Sequence, residues 1–252
     1  MPPLSQASFS SKIDSERRVK VLFFGRNECE FTLKAINHLN RLEFEVTSVF
    51  SRERGEVLPE EIGSWIGHYI FCFRSLYILP KTLLDRAKIA AINFHPGSAE
   101  YPGSGCANFA LYENATQYGV TAHLMNEKVD DGEILECRRF PILEDDSVDS
   151  LLGRTHVKML DLFFDITSGI GSGADDYIKG LIQSANHEKW SDKNRCLKDL
   201  EKLSIVDLGV SEPELKRIIR ATYTKLFPPK VMIHGYEFVL KPDNTTRKSN
   251  LR

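Results

Sequence analysis

Short apolar runs alternate with helix-like patterns along the first part of the chain, and this alternation restricts the fold more than any other feature. The runs 19–24, 44–50, 69–73 and 91–95 have the length and composition of strands. Between the first two runs, apolar residues recur at helical spacing over 31–42. Strands separated by helices favour a parallel sheet with right-handed crossovers. The sequence therefore predicts an α/β fold, with a mostly parallel sheet and helices on both of its faces.

The second part of the chain changes character. Residues 147–170 predict a long amphipathic helix that packs on the sheet, whereas the charged stretch 187–203 is expected to lie on the surface. Ser211 as cap and a proline in the first turn predict a helix that runs to Phe227. A hairpin is predicted over 231–240. The expected divisions are a leader over 1–17, a central domain over 18–172, and a C-terminal helical and hairpin extension over 173–252.

Composition narrows the class of protein. The chain has 252 residues, a formal net charge of -2 and a pI near 6.4, which argue against the broad basic face of a nucleic-acid-binding protein. The five cysteines are dispersed without a C-x-x-C pair, as is typical of reduced thiols in the cytoplasm. The sequence has no apolar run long enough for a membrane span. We expect a cytoplasmic protein that binds neither nucleic acid nor membrane.

Two polar residues mark the end of the run 91–95. Asn93 and His95 alternate with apolar neighbours, so their side chains project from the same face of the predicted strand. Pro96 and Gly97 then end the strand. Polar groups at the carboxyl end of a strand fit the crevice where α/β sheets bind ligands.

A second motif follows along the chain. Residues 119–125 alternate like a strand and lead through a polar corner into Val129-Asp130-Asp131-Gly132. Together, N-x-H-P at a strand end, G-V-T and V-D-x-G-x-I resemble the folate-dependent formyltransferases, most closely the nucleotide-sugar N-formyltransferases. The resemblance is specific over residues 70–140. It implies a Rossmann-like sheet, 10-formyltetrahydrofolate as co-substrate, and a catalytic trio on Asn93, His95 and Asp130.

The trio suits formyl transfer to an amine. Asn93 can donate to the oxygen that becomes anionic in the tetrahedral intermediate, and His95 can exchange protons near neutral pH. Asp130 would orient His95 and raise its pKa. His123 is interpreted as a strand histidine with a structural hydrogen bond. A zinc site of His95, Cys106 and Asp130 has permissible ligand types but no compact zinc spacing, so no metal is expected.

The resemblance also suggests binding residues. It places the folate pocket at Ile78, Leu79 and Val129, although Ile78 and Leu79 are equally explained as core positions. The loop 97–105 would border the acceptor amine, and it lacks the arginine that many relatives carry before Gly103. The candidates for acceptor contacts are Tyr101, Gly103, Ser104, Asn108, Arg217 and Arg220. Packing of the loop explains its residues as well, and a solvated helix face explains the two arginines.

Several acceptors are compatible with these motifs. The favoured one is the amine of a nucleotide-linked amino sugar, with GDP-perosamine for O-antigen of lipopolysaccharide as the preferred example. The segment beyond the core is expected to be too short and too acidic for the basic barrel of the tRNA-directed enzymes. Alternatives are methionyl-tRNA or glycinamide ribonucleotide as acceptor, hydrolysis of 10-formyltetrahydrofolate, and a folate-binding sensor without catalysis. The resemblance also implies a possible homodimer formed through the hairpin.

Overall fold

The computed structural model describes residues 18–173 and 176–241. The predicted leader lies outside these residues. Eight strands are described: β1 (Lys20–Arg26), β2 (Glu45–Ser51), β3 (Gly67–Phe73), β4 (Ala87–His95), β5 (Gln117–Leu124), β6 (Ile134–Pro141), β7 (Lys230–Ile233) and β8 (Tyr236–Val239). The described α-helices are α1 (Glu30–Arg41), α2 (Lys81–Leu84), α3 (Cys106–Tyr112), α4 (Val148–Gly171), α5 (Tyr177–Ser184), α6 (Leu197–Ser204) and α7 (Glu212–Thr222), and a 3-10 turn spans Glu60–Ser64.

Six strands form one sheet in the order β2-β1-β3-β4-β5-β6, and β7 and β8 form a separate hairpin. The first four strands of this order are mutually parallel, whereas β5 runs antiparallel to both β4 and β6. The predicted α/β class and mostly parallel sheet are therefore confirmed, with one strand reversed. The corner between β5 and β6 holds no crossover helix, and a connection without one joins antiparallel strands.

A cluster of aromatic rings anchors α4 to one face of the sheet. Phe163 is fully buried and contacts Phe23, Phe71, Phe73 and Phe94, with ring centroids 4.8–6.0 Å apart. These four rings come from three adjacent strands, so one residue of α4 holds the centre of the sheet. Removing such a ring typically destabilises a fold by about 3–5 kcal/mol.

The opposite face is covered by shorter elements. Leu22, Phe24 and Ile70 are buried there against Leu83 and Leu84 of α2. Because side chains alternate along a strand, the residues that follow these positions point to the α4 face. The covering on both faces confirms the predicted layer arrangement.

The charged stretch 187–203 lies mostly at the surface, as predicted, and it contains most of α6, in which Leu200 is buried. One prediction for the C-terminal part was wrong. The helix that begins after Ser211 ends at Thr222 and not at Phe227. Beyond its end, the Thr224 hydroxyl accepts from the Phe227 amide at 3.2 Å, and the residue before a proline disfavours helical backbone. No helix among the described residues is long and apolar enough to cross a membrane.

Candidate active site

The register between β4 and β5 brings the side chains of Asn93 and His123 together. In this antiparallel pair Asn93 lies directly opposite His123, and His95 lies opposite Thr121. Directly opposed residues project from the same face, so Asn93 and His123 meet, with the amide nitrogen 3.1 Å from His123 Nε2. His123 was predicted to be structural, and its Nδ1 does contact the Leu124 carbonyl oxygen at 2.8 Å. Its other ring nitrogen, Nε2, however, lies beside Asn93 in the candidate active site.

Asp130 closes the cluster from the corner after β5. Its Oδ2 lies 3.1 Å from His95 Nδ1, and its Oδ1 lies 3.3 Å from His123 Nε2 and 3.4 Å from the Asn93 amide nitrogen. The backbone of Asp130 is left-handed, with φ of 50°, a conformation that aspartate and asparagine tolerate better than most residues. The neighbouring Asp131 is exposed and pairs loosely with Lys128. The structure thus brings the predicted trio together around Asp130.

The electrostatics of His95 and Asp130 favour an ion pair. Burial opposes a charge on His95, but the Asp130 carboxylate raises the pKa of His95 well above its ordinary value. Burial also opposes the charge on Asp130, yet His95 and the hydrogen bonds from His123 and His95 hold the pKa of Asp130 far below its ordinary value. His95 Nε2 lies 2.9 Å from the Tyr101 carbonyl oxygen. Since that oxygen only accepts, both ring nitrogens of His95 carry protons in this arrangement.

The loop after β4 supports the carboxylate. The backbone N–H of Gly103 donates to Asp130 Oδ2 at 2.9 Å. Gly103 itself has a left-handed backbone, with φ of 89°, and a side chain there would collide with the Arg195 carbonyl oxygen. Glycine at this position therefore lets two chain segments approach closely. Tyr101 contributes its carbonyl oxygen to His95, while its ring is buried against Tyr118.

The C-terminal extension covers the site. Trp190 stands with its ring edge-on to the rings of His95 and His123, at centroid distances of 5.6 and 5.1 Å, and its indole N–H donates to the Gly132 carbonyl at 2.8 Å. The Ser104 amide donates to the Arg195 carbonyl at 2.8 Å. Sequence reasoning missed Trp190 because it falls in a stretch interpreted as charged surface. A lone tryptophan among charged residues was the only signal.

A cleft of about 490 Å³ opens beside the trio. Asn93, His95 and Asp130 line it on one side. Of the residues that the resemblance assigns to folate and acceptor, five line the same cleft: Ile78, Leu79, Val129, Gly103 and Ser104. Ile78 is largely exposed and Leu79 is buried, so the core explanation applies only to Leu79.

The other four acceptor candidates do not line the cleft. The Tyr101 ring is buried against Tyr118, and the remaining three have structural contacts elsewhere. The buried amide of Asn108 donates to the Ala221 carbonyl at 2.6 Å. Arg217 pairs with Glu214 on its own helix, and Arg220 donates to the Asp146 and Leu143 carbonyl oxygens at 3.2 and 2.9 Å. The contacts of Asn108 and Arg220 fasten α7 to α3 and to the segment before α4, and the structure does not bring the three residues to the trio.

The residues considered for zinc do lie near one another. Cys106 Sγ is 3.6 Å from His95 Nε2, whereas Asp130 contacts Nδ1 on the other side of the ring. Ligands on opposite sides of one imidazole cannot share an ion with it, because a metal binds one ring nitrogen. Among residues 18–173 and 176–241, no group of three or more His, Cys, Asp or Glu is arranged to hold a metal ion.

Comparison with known proteins identifies the family. The sequence model described as formyl transferase matches residues 20–166, more than half of the chain. The chain belongs to the formyl transferase family, and the resemblance suggested by its motifs is confirmed. The matched span contains the whole six-stranded sheet and all three residues of the trio.

Sequence relatives and structural neighbours point to different members of this family. A methionyl-tRNA formyltransferase from Listeria innocua is 38% identical over 78 residues, 31% of this chain and 25% of that protein. One from Ehrlichia chaffeensis is 28% identical over 151 residues, 60% of this chain and 46% of that protein. The chain thus spans less than half the length of both relatives.

Two solved structures share the fold over most of their length. A sugar N-formyltransferase from Shewanella has a TM-score of 0.65 and 20% identity, covering 89% of this chain and 97% of its own. An N-formyltransferase from Helicobacter canadensis, solved with folinic acid and dTDP-3-aminofucose, has a TM-score of 0.63 and 16% identity, covering 86% and 85%. At these identities the likeness establishes the fold alone.

Proposed function

We propose that the protein transfers a formyl group from 10-formyltetrahydrofolate to the amino group of a nucleotide-linked amino sugar. The observation that carries the proposal is the convergence of Asn93, His95 and Asp130 on one cleft, with Asn93 and His95 each within hydrogen-bonding distance of Asp130. Membership of the formyl transferase family supports the same chemistry. A protein that only binds folate has no need of a buried imidazolium beside a carboxylate.

The geometry suggests how the oxyanion is stabilised. The Asn93 amide nitrogen lies 3.1 Å from His123 Nε2, an ordinary hydrogen-bond distance, and 3.4 Å from Asp130 Oδ1, which is a weak contact. The N–H group on the Asp130 side is therefore the one that can turn to the formyl oxygen as that oxygen becomes anionic. A donor aimed at such an oxygen contributes about 3–4 kcal/mol to the transition state. The positive charge of His95 lies close by and lowers the energy of the same intermediate.

The proton balance follows from the ion pair. The acceptor nitrogen attacks the formyl carbon and becomes an ammonium, and the bond from that carbon to N10 of the folate then breaks. His95 supplies a proton toward N10 and regains one from the ammonium, so the protein ends unchanged. Both ring nitrogens of His95 are bonded inside the protein, one to the Tyr101 carbonyl oxygen and the other to Asp130, and Asp130 also lines the cleft. We assign Asp130 the role of relay for these protons.

The choice of a sugar nucleotide as acceptor rests on several supports. Two structural neighbours are covered over 97% and 85% of their own length, and these are a sugar N-formyltransferase and an N-formyltransferase solved with dTDP-3-aminofucose. The net charge of -2 gives no general attraction to a polyanion such as tRNA. GDP-perosamine, as used in O-antigen synthesis, is the particular acceptor that the loop 97–105 favours.

Methionyl-tRNA is the second candidate acceptor. It is favoured because the sequence relatives are methionyl-tRNA formyltransferases. One relative from Ehrlichia ruminantium matches over 83% of this chain at 23% identity. Because the trio suits any amine acceptor, this similarity supports formyl transfer without selecting tRNA.

One assay separates these functions. The purified chain is incubated with 10-formyltetrahydrofolate in parallel reactions that differ in the acceptor. The acceptors are GDP-perosamine, dTDP-linked amino sugars, glycinamide ribonucleotide and methionyl-tRNA, and one reaction contains no acceptor. Both tetrahydrofolate and formylated product are measured. We expect formylated sugar nucleotide, and no product from an Asp130→Asn control. If formyl-methionyl-tRNA were the only formylated product, methionyl-tRNA would replace the sugar nucleotide as the acceptor. Tetrahydrofolate without any formylated acceptor would indicate hydrolysis, and tight folate binding without turnover would indicate a sensor.

A further inference from the structure

Three neighbouring parallel strands end in an arginine. Arg26 is the last residue of β1, Arg52 directly follows β2, and Arg74 directly follows β3. These strands are adjacent in the order β2-β1-β3. The register pairs Phe24 with Cys72, which places Arg74 level with Arg26, and it pairs Arg26 with Ser51, so Arg52 lies one residue further along. All three arginines therefore stand at the carboxyl edge of the sheet.

The arginines line a cavity of about 920 Å³, here called the arginine cavity. It is bordered by Arg26, Arg52, Arg74, the first turn of α1 and His156 of α4. The chain passes from β1 outward to β2 and returns to β3 on the other side, so the cavity lies at the topological switch point of the sheet. Ligands of open α/β sheets bind at this position.

The positive charge of the cavity is not neutralised inside the described part of the chain. No ion pair within 4.0 Å joins Arg26, Arg52 or Arg74 to a carboxylate of residues 18–173 or 176–241. Two glutamates also line the cavity, and one of them, Glu30, pairs with Lys34 at 2.6 Å. Three guanidinium groups therefore share the cavity with one glutamate, Glu28, that has no cationic partner within 4.0 Å among the described residues.

Neighbouring groups hold this charge in place. The Arg74 guanidinium lies over the Phe31 ring, 5.7 Å from its centroid, and Arg74 has a left-handed backbone with φ of 58°. A residue other than glycine keeps such a backbone conformation when the surrounding structure enforces it. Burial, together with Arg74 and Arg26, lowers the pKa of His156 to about 4, so His156 is neutral at physiological pH. Its neutral ring leaves the charge of the cavity to the arginines.

The arginine cavity adjoins the cleft of the trio. Arg26, Arg74 and His156 line both. Since neighbouring strands lie about 4.8 Å apart, β1 is two strands and roughly 10 Å from β4, which carries Asn93 and His95. A molecule whose amine reaches the trio could therefore place an anionic group among the arginines.

We propose that Arg26, Arg52 and Arg74 bind the phosphate groups of the amine acceptor and so select acceptors that carry a diphosphate. This inference rests on the proposed function, in that the anion belongs to the acceptor. Guanidinium groups match phosphate oxygens in bidentate geometry. The folate positions Ile78, Leu79 and Val129 line only the cleft, which leaves the arginine cavity to the second substrate.

The test measures anion binding without catalysis. Inorganic pyrophosphate, GDP and dTDP are titrated into the full chain by calorimetry at low ionic strength, alongside Arg26→Gln and Arg52→Gln. Arg41→Gln is the matched control, because Arg41 is exposed in the last turn of α1 and makes the same change of charge outside the cavity. We expect each cavity variant to weaken pyrophosphate and nucleoside diphosphate binding about tenfold or more, and the control to bind like the wild type. Melting temperatures establish that the variants fold.

A second measurement excludes the glutamyl tail of the folate as the anion. Monoglutamyl and pentaglutamyl forms of 5-formyltetrahydrofolate are titrated into the same proteins. If the cavity variants weaken the pentaglutamyl form and leave the nucleoside diphosphates unchanged, the cavity serves the folate and the proposal is overturned. Unchanged affinity for every anion also overturns it. Because pyrophosphate binding needs no formyl transfer, a failure of the proposed reaction remains distinguishable from a failure of the cavity.

Discussion

His123 lies directly across the β4–β5 pair from Asn93, and its Nε2 is 3.1 Å from the Asn93 amide nitrogen and 3.3 Å from Asp130 Oδ1. Its Nδ1 contacts the Leu124 carbonyl oxygen, which fixes that nitrogen as the protonated one. Neutral His123 therefore accepts from Asn93, whereas charged His123 donates to Asp130. Each state constrains one residue of the trio, so His123 acts as a positioning residue.

We expect His123→Phe to lower kcat by about ten- to a hundredfold while the fold is kept. Phenylalanine preserves the ring and its contact with Trp190 but removes both nitrogens, and the loss of one hydrogen bond to a charged group corresponds to about 1.5–3 kcal/mol. Steady-state kinetics with formyl donor and acceptor measure the effect. His187→Phe is the control, since His187 is largely exposed and distant in sequence from the trio. A His123→Phe enzyme with wild-type kcat would remove His123 from the site.

We expect Asp130→Asn to lower kcat by on the order of a thousandfold, the scale of lost acid–base catalysis. Asparagine keeps the size of the side chain and tolerates the left-handed backbone at this position, so the variant tests charge with little strain. Without the carboxylate, the pKa of His95 falls, because burial then dominates. An NMR titration of the His95 ring should show this fall directly.

The same pair predicts a pH dependence of stability. The pKa of His95 is raised above 6.5, so its contribution is complete below pH 6.5 and is lost as the pH rises through the raised value. The pKa of Asp130 is lowered below 3.8, so its contribution is complete above pH 3.8 and is lost as the pH falls through the lowered value. Both contributions are complete between these pH values. Urea unfolding should therefore show the largest difference between wild type and Asp130→Asn, on the order of 3 kcal/mol, in that window.

A difference that stays constant from the window to strongly alkaline pH would contradict the ion pair. In that case His95 would be neutral in the folded state, and the carboxylate would act only as a hydrogen-bond acceptor. The control is Asp131→Asn, because Asp131 is the adjacent carboxylate on the exposed side of the corner.

The sequence was sufficient for the sheet and for the first half of the site. The period-two alternation around Asn93 and His95 is local, so the shared face of these two residues follows from the strand itself. Asp130 is distant along the chain, and only the resemblance to a family selected it over Asp131. The predicted folate residue Ile78 lies in the cleft as an exposed side chain, a placement that its apolar character alone does not indicate.

The remaining site residues depend on tertiary pairing. His123 enters the site only because β5 is antiparallel to β4, and a reversed strand cannot be distinguished from a parallel one by its own periodicity. The three arginines follow runs that the sequence predicts as strands, but their convergence requires the order β2-β1-β3. Conversely, Arg217 and Arg220 have side chains that could bind a diphosphate. The packing of α7, however, places Arg217 against Glu214 and Arg220 against the carbonyl oxygens of Asp146 and Leu143.

We expect removal of the Trp190 ring to impair catalysis more than loss of its hydrogen bond. Trp190→Phe keeps an aromatic edge against His95 and His123 and loses only the bond to the Gly132 carbonyl. Trp190→Ala admits water to the imidazoles, and water weakens the interaction between His95 and Asp130 by raising the local dielectric constant. We expect a fall in kcat of about tenfold or more for Trp190→Ala and a smaller fall for Trp190→Phe. Equal effects of the two variants would assign the role of Trp190 to its hydrogen bond.

The close approach at Gly103 can be separated from its backbone conformation, because Gly55 has a similar left-handed backbone in open space. The φ values are 89° and 85°, and a Cβ would meet the Arg195 carbonyl oxygen at Gly103 but nothing within 4 Å at Gly55. Both Gly→Ala variants carry the backbone strain, about 1–2 kcal/mol. Only in Gly103→Ala must the new methyl group also separate the loop after β4 from the C-terminal extension at Arg195.

We therefore expect Gly55→Ala to lose about 1 kcal/mol of unfolding free energy and to keep its kcat. Gly103→Ala should lose more stability and also lose activity, because displacing the loop lengthens the 2.9 Å bond from the Gly103 amide to Asp130. Urea unfolding and kinetics on both variants measure the two effects. If Gly103→Ala matched Gly55→Ala in both respects, the contact with Arg195 would be relaxed at little energetic cost. The extension would then cover the site without helping to position Asp130.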